Sequence, residues 1–237
     1  MRRDYRPFWI HQLQSQWQSA WVKYFIEPQL DGCGVGLEVI GPRHFKISGP
    51  SIYLGQDVHV MALPEAPVRL SVFERMGRIE VADYTLINPG ARVTSAERIT
   101  IGEGCMLAMH TSINDADWHD VQHRIFAPGA TAPVVLERNV WLGEGARVLK
   151  GVTIGENTLV GAGSVVSRSL PANVIAAGNP ARVIKPLPDG ERTTRSDLFN
   201  MDIPYAQFAD EFMRDERLKG NNFLSWLRSF LFPRRSD

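Results

Sequence analysis

The stretch from Leu136 to Pro171 reads in sixes: LERNVW, LGEGAR, VLKGVT, IGENTL, VGAGSV, VSRSLP. The first place of each six is aliphatic: Leu136, Leu142, Val148, Ile154, Val160 and Val166. The fifth is mostly small or β-branched: Val140, Ala146, Val152, Thr158, Ser164 and Leu170. Six residues advance an α-helix by about 600°, so a helix would scatter these aliphatics around its surface. Six is a multiple of the strand period, so an extended chain puts every first place on one face. A short period sustained this long implies a solenoid, in which each coil buries its aliphatics against the next. Gly143, Gly155 and Gly161 hold the second place of three sixes, and tight corners are expected to use their backbone freedom.

Working outward, the same phase is found upstream. Ile52, Leu54, Val58 and Val60 fit first places at 54 and 60. MALPEAPVRLSVFERMG then breaks the phase, as a loop or a less regular coil. The phase returns at Val81, Ile87 and Val93, slips by two residues, and resumes at Ile101, Leu107 and Ile113. A slip of two leaves inward and outward faces unchanged, so it reads as a bulged corner. The repeat halts for the 22 residues from Asn114 to Val135. An interruption beyond about 12–15 residues in a compact domain is usually functional. This one carries NDADWHDVQHR, the densest cluster of reactive side chains in the chain.

Outside the repeats, residues 8–27 have apolar side chains spaced mainly by three and four, which predicts a helix. It would pack on the solenoid or on a neighbouring subunit, with a membrane-surface role as the alternative. Residues 31–36, DGCGVG, lack the strand–helix context of a phosphate loop and read as a turn. After Pro186, PDGERTTRSD is a polar linker. Two helical patterns occupy 203–232, the second being NNFLSWLRSFLFPRR with Arg228, Arg234 and Arg235. The expected role is to cap the last coil, with membrane-surface contact as the alternative. The domain reading is therefore 1–44 as an N-terminal helical extension, 45–187 as the repeat domain with loop 114–135, and 188–237 as linker and C-terminal helices.

Composition narrows the function. The 237 residues hold 26 Lys plus Arg against 26 Asp plus Glu, so no basic excess points to nucleic acid. Cys33 and Cys105 are too few for a disulfide framework, and both are expected as thiols. No apolar run reaches the ~18 residues of a membrane span. The N-terminal Met-Arg-Arg leads into a stretch broken by polar residues, which does not read as a secretory signal. The expected location is cytoplasmic, with peripheral contact at the inner membrane face as the variant.

The sixes, together with NVIAAGNPARVIKPL from Asn173, resemble the hexapeptide-repeat acyltransferases of the galactoside and maltose O-acetyltransferase group. The resemblance covers roughly 45–187. It implies a mainly β fold, a left-handed parallel β-helix of hexapeptide repeats with helical extensions at both ends, three sixes to a coil. It also implies a homotrimer, acetyl-CoA as donor and a sugar or glycan hydroxyl as acceptor. N-acyl transfer to an amino sugar and a non-catalytic scaffold are the alternatives.

Transfer from a thioester to a hydroxyl needs a group that takes the hydroxyl proton, and imidazole suits this near neutral pH. Anchored on Ile101-Gly102, the family histidine falls within one residue of His119, the expected base. Asp115, Asp117, Asp120 or a backbone carbonyl could hold its other ring nitrogen. His110, within the repeat, is the second candidate. His123 lies four residues after His119, a metal-like spacing. It does not resemble the γ-type carbonic anhydrases, and no metal is expected. The resemblance assigns Asn88 to the acceptor, and Asp117 is placed beside it. Ala96 stands where the family has an acidic acceptor residue, with Glu97 adjacent. Trp141, Ala162, Ser167, Arg168, Arg182 and Lys185 match coenzyme-binding positions. The cations among them are the chemistry that phosphates require. Small side chains over Gly161–Ser164 would let the pantetheine arm approach the backbone.

Overall fold

The computed structural model describes residues 4–73, 77–125 and 128–232. They divide into two compact units, residues 21–196 and the two chain ends, 1–20 with 197–237.

Residues 21–196 form a three-faced parallel β-helix. The first coil runs β1 (Gly32–Cys33), β2 (Glu38–Ile40) and β3 (Phe45–Ser48). The second is β4 (Ile52–Leu54), β5 (His59–Met61) and β6 (Val68–Val72). The third is β7 (Ile79–Val81), β8 (Leu86–Ile87) and β9 (Arg92–Ser95). The fourth is β10 (Ile99–Ile101), β11 (Met106–Leu107) and β12 (Ser112–Asn114). The fifth is β13 (Val134–Leu136), β14 (Trp141–Leu142) and β15 (Arg147–Val148). The sixth is β16 (Thr153–Ile154), β17 (Leu159–Val160) and β18 (Val165–Val166). A hairpin closes the array, β19 (Val174–Gly178) and β20 (Ala181–Pro186). Each coil gives one strand to each face, and each strand pairs in parallel with its counterparts above and below. The hairpin extends the second face, where β20 pairs antiparallel with β19.

The six-residue pattern acts as expected on the interior. Leu136, Leu142, Val148, Ile154, Val160 and Val166 are each 0% exposed. The fifth places Val140, Ala146, Val152, Thr158 and Ser164 are buried with them. Burial of each aliphatic contributes about 1.5–3 kcal/mol. The glycine reading is corrected. Second-place Gly143 and Gly155 have no left-handed backbone. A Cβ on Gly143 would stand 2.6 Å from the backbone nitrogen of Ala162, and one on Gly155 2.3 Å from that of Ala172. These glycines give room to the next coil. The corner itself is made at the fourth place, where Asn139, Gly145, Gly151, Asn157 and Gly163 have φ of 56–73°. Gly and Asn bear that conformation at least cost. The asparagines also bond between coils, Asn139 Nδ2 donating to Asn157 Oδ1 and Asn157 Nδ2 to Asn173 Oδ1, each at 2.9 Å.

The array begins earlier and runs more evenly than the phase suggests. Gly32–Cys33, within the stretch read as a turn, pairs with β4 as the first strand. Val68–Val72, within the stretch that breaks the phase, is a regular strand paired with β3 and β9. The slip after Val93 is a widened corner between the third and first faces. Buried Asp115 holds it, accepting from Ser95 Oγ at 2.6 Å, Ala96 N at 2.7 Å and Glu97 N at 3.0 Å.

Ahead of β1, the N-terminal helix α1 (Phe8–Trp21) continues through a π-turn over Val22–Ile26. Val22 and Ile26 join the solenoid core. In the other unit, the two chain ends pair with each other. Asn221 donates to the carbonyls of Asp4 and Arg6 at 2.7 and 3.0 Å, and the Trp9 and Phe223 rings stack at 6.2 Å. Beyond the solenoid come two further helices, α2 (Arg195–Phe199) and α3 (Tyr205–Phe212), then α4 (Phe223–Leu231), which starts with an Asn222–Ser225 capping box. Arg234 and Arg235 lie outside the described residues. No described helix is long and apolar enough to cross a membrane.

Candidate active site

The long interruption leaves the solenoid at the corner between its third and first faces. Its base closes as a short hairpin. Ala116 bridges Thr131, Asp117 N donates to Ala130 O at 2.9 Å, and Gly129 N donates to Asp117 O at 2.7 Å. Trp118 packs edge-on against Phe73, with ring centroids 5.6 Å apart. Between these anchors the His119 side chain is exposed.

The three nearby carboxylates are committed elsewhere. Asp115 holds the widened corner. Asp117 takes Lys150 Nζ on both oxygens at 2.8 Å. Asp120 Oδ1 accepts the backbone N–H groups of Gln122 and His123 at 2.8 and 2.7 Å, which hold its carboxyl below the usual range. None of them bonds the His119 ring. Among the described residues, no three His, Cys, Asp or Glu side chains gather as a metal site.

His110 takes the fourth, left-handed place of its six, with φ 59°, at the corner between the second and third faces. Asn88 lies at the same corner one coil earlier, and its amide donates to Leu107 O at 3.0 Å. That bond gives the amide a structural use between coils and leaves its oxygen uncommitted in the described contacts.

The predicted coenzyme residues fall into two groups. Trp141 is 45% exposed on the second face. Strand register aligns Trp141 with Leu159, Leu159 with Ile175, and Ile175 with Lys185. Trp141 and Lys185 therefore share one outward row, about 14 Å apart at three strand spacings. Beside that row, Ala162 and Gly163 form a bare corner, with nothing within 4 Å of the space over Gly163. Ser164 differs from its expected place. It is buried, and its hydroxyl accepts from Gly178 N at 3.1 Å.

The second group lies at the end of the solenoid. Arg168 and Arg182 line one shallow cleft of about 190 Å³, with Ser169 and Pro171 beside them. Ser167 is exposed next to Arg168. Arg182 and Lys185 have a purely structural reading too, because cations on the edge strand β20 discourage pairing with another chain. Ser167 and Arg168 share the third-to-first corner with the His119 loop, two coils further along. Trp141, Ala162 and Asn88 belong to the second face and its far corner. One chain thus divides the predicted site between two corners.

Two residues outside the sequence reading are central to this geometry. Lys150 fixes Asp117, and Trp118 fixes the loop against Phe73. The first had no signal beyond a cation at a corner. The second had one, a large aromatic beside the candidate base.

Comparison with known proteins places the repeat. The family model "Bacterial transferase hexapeptide (six repeats)" matches residues 133–168. Galactoside O-acetyltransferase of Escherichia coli is 36% identical over 96 residues, 40% of this chain and 47% of that protein. WbbJ of Escherichia coli, named for O-acetyl transfer in lipopolysaccharide biosynthesis, is 35% identical over 128 residues, 50% of this chain and 65% of that protein. The chain thus spans less than two thirds of the length of these curated relatives. The solved N-acyltransferase AntD of Bacillus cereus superposes with a TM-score of 0.60 at 21% identity, over 70% of this chain and 89% of that one. That likeness carries the fold, a left-handed parallel β-helix of the hexapeptide-repeat acyltransferases.

Proposed function

We propose that this hexapeptide-repeat chain is an acetyl-CoA-dependent O-acetyltransferase acting on a hydroxyl of a sugar or glycan. The observation that carries the reading is the His119 loop. The longest break in the array delivers an exposed imidazole, anchored on both sides, to one corner of the solenoid. The named relatives support acetyl transfer to sugars, being O-acetyltransferases of galactosides and of lipopolysaccharide biosynthesis by name.

His119 would take the proton as the acceptor oxygen attacks the thioester carbonyl carbon. The tetrahedral intermediate then collapses, the C–S bond breaks, and the coenzyme thiolate leaves and is protonated. No acyl-enzyme is needed. The only buried thiol, Cys105, is pushed up to about 12 by burial and stays protonated. The bare corner at Ala162 and Gly163, with Trp141 alongside, suits the thin pantetheine arm. Arg168, Arg182 and Lys185 suit its phosphates.

The division of these groups between two corners supports a homotrimer. A closed threefold would set the His119 corner of one subunit against the Trp141–Ala162 corner of the next. The test is incubation of the purified protein with labelled acetyl-CoA and a panel of glycans. Label should pass to a saccharide hydroxyl. Absence of coenzyme binding at millimolar concentration would sink the reading.

A further inference from the structure

The third face of the solenoid carries a row of cations. Strand register aligns Lys46 with Arg69, Arg69 with Arg92, Arg92 with Ser112, and Ser112 with Arg147. All lie at outward places, and the four cations are exposed. Neighbours in the row are about 4.8 Å apart at the backbone.

Like charges set directly across neighbouring strands destabilise a sheet. Any polar residue would serve at these outward places, so the solenoid gains nothing from four cations there. Elsewhere on the array arginines pair with carboxylates, as Arg78 does with Glu80 and Arg138 with Glu156. Among the described residues, Lys46, Arg69, Arg92 and Arg147 make no ion pair. The neutral composition makes the local excess more pointed.

The row also has a concavity. Arg69, Arg92 and Arg147 line a cleft of about 380 Å³ with Ser112 and His110, and Glu65 is its one carboxylate. Two strand steps separate Arg92 from Arg147, with the Ser112 hydroxyl between them. A second outward row beside it is Ser48, Ser71, Thr94 and Asn114, all hydrogen-bonding side chains. Guanidinium forks on both sides of a hydroxyl match the oxygens of linked phosphates.

We infer that this third-face cleft binds a diphosphate group carried by a small molecule, at a place apart from the Arg168–Arg182 cleft. Because the cleft includes His110 and adjoins the Asn88 corner, the ligand is assigned as an acceptor sugar bearing a diphosphate. That last assignment rests on the acetyl-transfer reading; the anion site does not.

The test uses the full chain and inorganic pyrophosphate, with UDP as a second probe, by calorimetry at low and matched ionic strength. Wild-type protein should bind pyrophosphate with a Kd in roughly the millimolar range or tighter. Arg92→Gln/Arg147→Gln should weaken it by at least about tenfold, while Arg98→Gln, at another corner, should not. Thermal melts check folding. Pyrophosphate should raise the Tm of wild type and leave that of the double variant unmoved. No pyrophosphate binding by wild type, equal binding by the double variant, or loss that tracks Arg182→Ala instead would each overturn the inference. Coenzyme A binding, measured on the same samples, should survive in the double variant. Its absence from every protein, wild type included, would remove the acetyl-transfer reading while leaving the anion site standing.

Discussion

His59 shows how one residue of the repeat couples the array to the segment beyond it. It occupies an outward place in β5 yet is only 8% exposed. Arg195, past the end of the hairpin, returns to donate to Tyr84 O at 2.7 Å and lies 3.3 Å from His59 Nδ1. Guanidinium cannot accept a hydrogen bond, so Nδ1 accepts and Nε2–H faces Glu38 at 3.1 Å. Burial, with Arg195 beside it, lowers the His59 pKa to about 4. The folded histidine is then neutral down to about pH 4, whereas an unfolded one takes a proton from about 6.5. Between these values the unfolded chain binds more protons, so stability falls as pH drops through that window and levels off below it. The loss should reach at most about 3 kcal/mol. Glu38 is shifted in the opposing sense, upward by burial, and offsets part of it. Urea midpoints at pH 7, 5.5 and 4 for wild type and His59→Gln check this. The variant should show the flatter profile, and parallel profiles would refute the assignment.

At the scale of elements, the corner between the third and first faces is the informative one. Three departures from the six-residue phase occur there, after β6, after β9 and at the long loop, while another falls at the second-to-third corner between β5 and β6. Asp115 joins the last two of the three. Its buried carboxylate accepts three hydrogen bonds, two of them from backbone N–H groups with no other acceptor among the described residues. Asp115→Ala should therefore cost about 3 kcal/mol, read from the urea midpoint, since buried donors are left unsatisfied. A loss under about 0.5 kcal/mol would mean that the corner rebuilds without it. The regular coils were legible because a period of six admits one extended solution, and first-place aliphatics such as Leu142 reported it directly. The corner chemistry was legible too, as N, G, G, N, G at the fourth places from Asn139 to Gly163, but the second-place glycines drew attention away from it. Strand β6 was hidden because the wide corners around it broke the phase, although Val68, Leu70 and Val72 still alternate. The pairing of the chain ends was not legible at all. Asn221 reaches Asp4 across nearly the whole sequence, and no local pattern encodes that contact.

At the scale of the whole molecule, the residue types of the candidate site were visible in the sequence, but their division between two corners was not. Spacing along a solenoid gives height on the axis, while the face depends on the count of corners passed. His119 and the Arg168–Arg182 cleft lie two coils apart along the axis, which makes His119 and Arg182 separable in function. His119 stands on a loop that contributes little to the interior, so His119→Ala should fold normally and bind acetyl-CoA with near wild-type affinity. Its kcat should fall by about 10²–10⁴, the usual cost of losing a general base. Arg182 lies on the edge strand that ends the array, lining the Arg168 cleft, and its Nη1 bonds only the adjacent Ala181 carbonyl in the described contacts. Arg182→Ala should raise the KM for acetyl-CoA by about tenfold or more while kcat at saturating coenzyme is largely kept. Steady-state kinetics on the two variants gives opposite signatures if one residue is the base and the other the anchor. If His119→Ala retains its kcat while His110→Ala loses it, the base belongs at the opposite corner, and the 114–135 loop closes over the acceptor instead. If Arg182→Ala leaves KM unchanged but makes the protein associate through its sheet edge, the cation guards β20 and the coenzyme phosphates are held elsewhere.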